Sequence, residues 1–458
     1  MRTTVASSRG LVRWDAALQF DHVMWARSDA VLQAFGHVAK RRVTPADETL
    51  PLGSVHFGGA ISLRPAGRKL KNRSFVAQAG DLVFSRIDAR NGAIGVIPPG
   101  SSPLAFSNEF PIYDLAGIGR LIPQFAALVC RTAPFLESIR SVVVGHTGRR
   151  RLSHELFERV EIPVPGRDEQ EAILHLHEDG MADAEALGVR ASSVVLSAVQ
   201  AIEGRLGLDV PHRRRLDRPF VLSSAKLGER WSVENAFLAF EPPTRVASRF
   251  PLRLLGNPDI ADVAYGVTKG PGNRSSRYPR PYLRVANVQD GFLDLSEVKT
   301  IDVPPERLAS YRLQAKDILL CEGNSIELVG RPAMWKGEIE DCVHQNHILR
   351  VRTNPATLMP EFLFAYLQSS AARQHFRDRA KRTTNLATIS STDVRELLVP
   401  SPPIDEQLVV SALWETAQAE QAALLARANE VASNTWTAVE RAIVHGLVAG
   451  KTPGPPAV

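Results

Sequence analysis

Apolar and polar positions along this chain follow two periods, and the change from one to the other comes twice. From about Arg13 to Arg159, short apolar runs stand between Gly and Pro punctuation. Leu82-Val-Phe-Ser, Ala93-Ile-Gly-Val-Ile and Phe110-Pro-Ile-Tyr-Asp predict strands joined by turns. Pro123-Gln-Phe-Ala-Ala-Leu-Val-Cys then predicts a helix, with proline in the first turn and apolar residues continuing to Ile139 at helical spacing. From Asp168 to about Leu206, Ile173, Leu176, Leu187, Ala191, Val194, Ala198, Ile202 and Leu206 fall at steps of mostly three and four, the seam of a long helix. Prolines just upstream forbid an earlier start, and Asp168 with Glu169 favour the positive end of the helix dipole.

The pattern is then repeated. Pro163-Val-Pro-Gly-Arg-Asp168-Glu169-Gln170 returns as Pro400-Ser-Pro-Pro-Ile-Asp405-Glu406-Gln407, and the offset of 237 holds without a gap from about residue 121 to 206. It pairs Leu121 with Leu358, Pro123 with Pro360, Phe125 with Phe362, Arg140 with Arg377, Thr147 with Thr384 and Ser153 with Ser390. The second seam is Val410, Leu413, Ala417, Leu424, Ala428, Val431, Val439 and Ile443. Gly180, Gly188 and Gly204 each cost the first helix about 1 kcal/mol relative to Ala, so it needs a partner; the second has Ala417 and Leu425 at the first two of those places and is expected to be stiffer. Each helix would be roughly 55–65 Å long.

Between the repeats, Pro211-His-Arg-Arg-Arg-Leu-Asp-Arg-Pro219 predicts a basic linker, and a second irregular domain starts near Leu227. Arg230-Trp231 echoes Arg13-Trp14 at an offset of 217, so this copy has gained about 20 residues before Asp317. Much of the gain falls in Gly266-Val-Thr-Lys-Gly-Pro-Gly-Asn-Arg-Ser-Ser-Arg-Tyr-Pro-Arg280, a loop with cations and no acid; Pro281-Tyr-Leu-Arg-Val-Ala-Asn-Val and Asp317-Ile-Leu-Leu-Cys then predict strands.

Composition narrows the class. With 458 residues, 44% hydrophobic and 23% charged, the chain has the balance of a globular protein of two to four domains, and its net charge of +6 permits a polyanionic partner without requiring one. Cys130, Cys321 and Cys342 are too few and scattered for a disulfide framework. No unbroken apolar run approaches the length that spans a bilayer, and the N-terminal residues lack the apolar core of a signal peptide; the expectation is a cytoplasmic protein with no membrane partner.

Two long seams in one chain can bury each other. Antiparallel pairing predicts an α+β molecule, two small β-rich globules at opposite ends of a helical rod, related by a pseudo-twofold internal repeat. A rod of about 55 Å exceeds the roughly 34–36 Å that separate modules on successive turns of B-DNA, so the geometry suggests a reader of bipartite DNA. The same periodicity also fits a dimerisation coiled coil in an enzyme, or a scaffold without a nucleic-acid role.

Candidate DNA-contacting residues fall in three polar clusters per half. The first half has Arg64, Arg68, Lys69, Lys71 and Arg73; Arg86 and Arg90 in Ser85-Arg-Ile-Asp-Ala-Arg-Asn-Gly92; and Arg149, Arg150 and Arg151 after Thr147-Gly148. The second has Lys269, Arg274, Arg277 and Arg280; Asn324 and Ser325; and Lys381, Arg382, Thr383, Thr384 and Asn385. The last cluster of each half occupies equivalent positions of the repeat. Arg and Lys neutralise phosphates, Arg also matches guanine O6 and N7, and Asn matches adenine. Each cluster taken alone is more often ordinary solvated surface.

These motifs resemble the specificity (S, HsdS) subunit of type I restriction-modification enzymes over nearly the whole chain. Gly80-Asp81-Leu-Val-Phe-Ser-Arg-Ile-Asp-Ala-Arg-Asn-Gly-Ala-Ile-Gly95 with Phe106-Ser-Asn-Glu-Phe-Pro111 is similar to one class of target-recognition domain, and Glu327-Leu-Val-Gly-Arg-Pro-Ala-Met-Trp-Lys-Gly337 with His344-Gln-Asn-His347 to another. The Pro-x-Pro and Asp-Glu-Gln junctions resemble the start of that family's conserved helices. The resemblance implies recognition domains over residues 1–162 and 227–400, conserved helices over 163–208 and 401–451, a linker over 209–226 and a tail over 452–458. It further implies a non-catalytic chain that binds double-stranded DNA and docks two methyltransferase (M) subunits, with restriction/translocase (R) subunits able to join them. S-adenosylmethionine then belongs to the methyltransferase partner, and ATP and Mg to the restriction partner; this chain holds no cofactor.

Rival chemistries have weaker patterns. Pro258-Asp259 with Glu297-Val-Lys299 imitates a metal-dependent nuclease core, but its spacing of 38 residues is long. Cys321 with Cys342-Val-His344-Gln-Asn-His347 lacks the paired short spacings of zinc sites. Gly446-Leu-Val-Ala-Gly-Lys451-Thr452 misses a phosphate loop, because its first glycine is a residue too close and it ends a helix.

Overall fold

The computed structural model describes residues 25–26, 32–47, 49–64, 73–142, 151–209, 246–270, 277–382 and 386–447. They form two compact units, Met1–Leu187 with Ala426–Val458, and Gly188–Leu425. The linker beyond Asp209, the Arg13-Trp14 and Arg230-Trp231 pairs and the tail lie outside the described residues.

In the first unit, a four-stranded antiparallel sheet runs in the order Lys40–Arg42, Ile112–Asp114, Leu82–Phe84, Ile94–Val96. Leu82, Val83 and Phe84 are all buried, so both faces of this strand are covered and its sequence runs apolar without alternation. Phe157 closes the core, its ring 4.6 Å from Phe35 and 4.4 Å from Phe84. The same core takes in Ile173 from the first long helix (Arg167–Leu206, 40 residues) and Val439 and Ile443 from the second (Ile404–His445, 42 residues).

The apolar run from Pro123 to Ile139, expected as one helix, folds as two, Pro123–Val129 and Ala133–Val142. Pro134 has no N–H to give the Cys130 carbonyl, and Thr132 serves both ends of the break: its hydroxyl donates to the Val129 carbonyl at 2.8 Å and accepts from Phe135 N at 3.4 Å. The second unit has the same break between Pro360–Tyr366 and Ser370–Arg379, where Ser369 Oγ accepts from Ala372 N at 3.3 Å.

In the second unit, Ile318–Cys321 lies inside an antiparallel sheet ordered Ala261–Tyr265, Ile348–Thr353, Ile318–Cys321, Pro332–Met334. Pro279–Leu283 pairs antiparallel with Lys299–Asp302 and parallel with Val343–His344; the expected continuation to Val288 instead turns, with Asn287 Oδ1 accepting from Arg284 N at 2.8 Å. A third small sheet joins Gly323–Asn324 and Lys381–Arg382 to opposite edges of Ala387–Thr388. The main core of this unit includes Ile202 and Leu206 of the first long helix and Val410 and Trp414 of the second.

Positions 237 apart therefore exchange roles. Ile173 shares a core with Val439 and Ile443 in one unit, and Val410 with Ile202 and Leu206 in the other. Glu440 Oε1 accepts from Ala133 N at 2.5 Å, capping the Ala133–Val142 helix, while Glu203 Oε1 accepts from Ser370 N at 2.6 Å, capping the Ser370–Arg379 helix. The glutamines of the Asp-Glu-Gln junctions fix the start of each long helix. Gln170 is buried, accepts from Ile122 N at 2.8 Å and donates to the Arg120 and Pro165 carbonyls, each at 2.9 Å. Gln407 repeats this with Met359 N at 2.8 Å, Thr357 O at 3.1 Å and Pro402 O at 3.0 Å.

The three glycines of the first long helix do not interrupt it. Gly180 permits a close approach: a Cβ there would lie 2.1 Å from Thr435 Oγ1, whereas nothing stands within 4 Å of a Cβ at Gly188 or Gly204. By length and composition this helix would reach across a bilayer even without an unbroken apolar run, but its buried residues Ile173, Ala184, Ala191, Ile202 and Leu206 follow the seam.

Candidate nucleic-acid interface

In the first unit, two of the three clusters are brought together. Arg86 follows a buried strand and is half-buried; its backbone N–H donates to Glu109 O at 3.0 Å and its carbonyl accepts from Leu152 N at 2.8 Å. That second bond seats Arg151, which is exposed and 3.5 Å from the Glu109 carboxylate. Gly92, at φ 80°, closes the turn that carries Arg90. The Arg90 carbonyl accepts from Arg140 Nε at 3.3 Å, so a fourth arginine joins the group. Arg64 is placed differently: its Nε donates to Ser54 Oγ at 2.9 Å and its guanidinium stacks over Phe110 at 5.7 Å. Arg73 is exposed. Arg68, Lys69, Lys71, Arg149 and Arg150 lie outside the described residues.

In the second unit, all three clusters contribute to one continuous assembly. Asn324 and Arg382 pair with the same residue, Ala387, from its two sides, which sets the Asn324-Ser325 segment and the exposed Lys381-Arg382 strand on one small sheet. Asn324 Oδ1 accepts from Ser325 N at 2.8 Å. Glu322, one residue before this sheet, is tied to His347: its N–H donates to the His347 carbonyl at 3.0 Å, and its carboxylate accepts from His347 Nδ1 at 2.5 Å. The 344–347 segment is bonded in turn to the loop carrying exposed Lys269, through Val267 N to His344 O at 2.7 Å and Asn346 N to Val267 O at 3.1 Å.

The Glu327 carboxyl is held below the usual carboxylate range by a hydrogen bond within its own residue and one with Ser325, with Arg377 and Arg382 adding their positive charge. Arg377 and Arg140 stand 237 apart; Arg140 bonds to the turn that carries Arg90, and Arg377 lends its charge to Glu327. The repeat offset was the signal that could have singled them out.

Other candidates do different work. Arg280 is half-buried with its guanidinium 2.6 Å from Asp341, and Arg277 stacks over Tyr278 at 5.3 Å. Arg274, Thr383, Thr384 and Asn385 lie outside the described residues. Of the rival nuclease residues, Glu297 is 3.2 Å from Arg284 and 3.6 Å from Lys299. Cys321 and Cys342 sit in an apolar cluster, where burial pushes the Cys342 thiol up to about 12. Burial holds the His344 imidazole down to about 3. Among the described residues, no three His, Cys, Asp or Glu side chains converge to ligate a metal.

No protein-family model matches the chain. Over 128 residues, 28% of its length, it is 31% identical to a type I restriction enzyme MjaX specificity subunit of Methanocaldococcus jannaschii, covering 30% of that protein. Over 256 residues, 55% of its length, it is 25% identical to the type I restriction enzyme EcoKI specificity subunit of Escherichia coli K12, covering 49% of that protein. The chain thus spans about half or less of the length of these curated relatives. Its backbone is similar to that of a solved chain from a type I restriction-modification system, with a TM-score of 0.53 over 91% of this chain and 97% of the other; at 15% identity this shows a shared fold.

Proposed function

We propose that the chain belongs with the type I restriction enzyme specificity subunits to which it is similar, as the non-catalytic DNA-reading subunit of such a system, each unit recognising one half of a split duplex target. The observation that carries this reading is the assembly in the second unit, where Lys269, Asn324, Ser325, Lys381 and Arg382 stand on segments bonded around Glu322 and His347. Cations of this kind neutralise phosphates and hold the duplex in register, while a few polar side chains among them read base edges. Arg86, Arg90 and Arg151, with Arg140, do the same for the other half-site.

The two long helices pair antiparallel as a coiled coil and set the gap between the half-sites. The exchange of roles between positions 237 apart supports this: a pseudo-twofold repeat puts the start of one helix beside the end of the other in each unit. Residues 1–162 and 227–400 serve as the recognition domains, and the helices of 163–208 and 401–451 as the spacer that docks two methyltransferase subunits. S-adenosylmethionine and the methyl transfer belong to those subunits, ATP and Mg to a restriction subunit where one joins, and the complex works in the cytoplasm. The test is methylome sequencing of a host that expresses this chain with its methyltransferase. A split methylated motif is expected; a methylome without one refutes the reading.

A further inference from the structure

Within the second unit, Lys269, Lys381 and Arg382 are exposed, and among the exposed groups near them one is held by several bonds. His347 has 55% of its side chain exposed, yet its backbone carbonyl accepts from Glu322 N at 3.0 Å and its ring Nδ1 meets the Glu322 carboxylate at 2.5 Å. The residues before and after it are pinned too, by Asn346 N to Val267 O at 3.1 Å and Ile348 N to Gln345 O at 2.9 Å. A surface ion pair between two free side chains gains little, because ordering them costs entropy. Here the backbone bonds have already placed both partners, so the ring is oriented at small further cost.

The chemistry of that orientation is specific. A carboxylate only accepts, so Nδ1 carries the proton that points at Glu322, and the opposite ring edge, Nε2, faces away from the pair. Glu322 itself has 25% of its side chain exposed and would repel a phosphate; with its charge turned to the imidazole it acts on the ring instead of on the ligand. The same device orients histidines in metal sites, where the carboxylate behind the ring fixes the tautomer. The segment that carries the ring is bonded through its backbone to Val267 of the Lys269 loop and to Glu322, which directly precedes the sheet of Asn324 and Arg382.

We propose that His347 is a specificity-determining residue of the second half-site, presenting Nε2 to a base edge of duplex DNA, with Glu322 as its positioning residue. This rests on the DNA-reading function proposed above. Cations at a phosphate backbone serve any sequence, so they need reach and charge but no fixed angle. A single ring nitrogen held at one angle suits a base edge, where a displaced hydrogen bond loses discrimination.

The test uses the chain assembled with its methyltransferase partner, measured by methylome sequencing and by competition binding to duplexes changed one base pair at a time. The unaltered complex must first show a split motif; if it shows none, the DNA-reading function itself fails. Given that motif, His347→Ala is expected to lower discrimination about tenfold at one base pair of one half-site, leaving the other half-site and the salt slope unchanged. Glu322→Gln should relax the same base pair by a smaller factor, and His347→Gln, which keeps a polar edge, should retain some discrimination or shift it to another base. Uniform weakening across sequences with a flatter salt slope would identify a phosphate contact and overturn the proposal. Unchanged discrimination in both His347→Ala and Glu322→Gln would overturn it as well, leaving the pair a surface tie between two strands.

Discussion

Replacing Gln407 by Met removes hydrogen bonds from the start of the second long helix without opening a cavity, since the two side chains have similar length and volume. Gln407 is buried at 1% exposure, and its amide makes three bonds, to Met359 N, Thr357 O and Pro402 O, at 2.8, 3.1 and 3.0 Å. Each such bond contributes about 0.5–1.5 kcal/mol net, and an orphaned buried donor costs about 1–3 kcal/mol, so the variant should lose roughly 2–4 kcal/mol. The loss is local, because these bonds join the first turn of the long helix to the segment leading into the Pro360–Tyr366 helix. Hydrogen exchange on the full chain is the assay. Amides of 359–366 and 407–412 should lose protection by a factor of about 30–1000, with those of Leu82–Phe84 in the first unit unaffected. Gln170→Met should transfer the same deficit to the first unit. A change below about fivefold would mean that water or neighbouring groups satisfy these atoms, and would refute the reasoning.

Gly180→Ala should destabilise by about 1–3 kcal/mol, because its Cβ would lie 2.1 Å from Thr435 Oγ1. Gly188→Ala, with open space around it, should stabilise by up to about 1 kcal/mol, and urea unfolding reporting the reverse order would contradict this contact. Replacing Lys381 and Arg382 together by Ala should weaken DNA binding across sequences and lower the slope of log K against log salt by about 2, while an unchanged slope would show that neither meets phosphate. Burial holds the His344 and His375 imidazoles down, to about 3 and about 4. The unfolded chain therefore takes up protons near pH 6.5 before the folded chain does, so the second unit is fully stabilised above that pH and loses stability as pH falls toward 4. Urea midpoints measured across that range should fall, and His375→Gln should flatten part of the decline. Lengthening the first long helix by one turn should change the gap between methylated half-sites and neither half-site sequence.

Periodicity and the repeat offset carried much of this protein into view. Long helices are written in seams of three and four because a helix must bury one face, and the runs at Leu82, Ala93, Phe110 and Asp317 became strands because β-structure needs short apolar stretches between turns. The same logic misjudged Pro123 to Ile139, where apolar spacing continues through a point that Pro134 and Thr132 break by backbone hydrogen bonding. Periodicity registers which faces are apolar and is blind to a single missing N–H. The junction glutamines and the capping pair Glu203 and Glu440 stayed equally hidden, since their partners lie up to 307 residues away in sequence.

By itself the sequence determined most of the elements and the supply of cations, which depend on local composition, and the duplication, which is written in the repeat offset. Only the tertiary structure decided which candidate residues stand together. It gathered Asn324 and Arg382 on two sides of Ala387, turned Arg64 and Arg280 to Phe110 and Asp341, and singled out His347, a residue whose spacing fits no zinc site. The physical reason is that a side chain's availability is set by what packs against it, and strand pairing and ion pairing between distant segments leave no periodic trace in the chain.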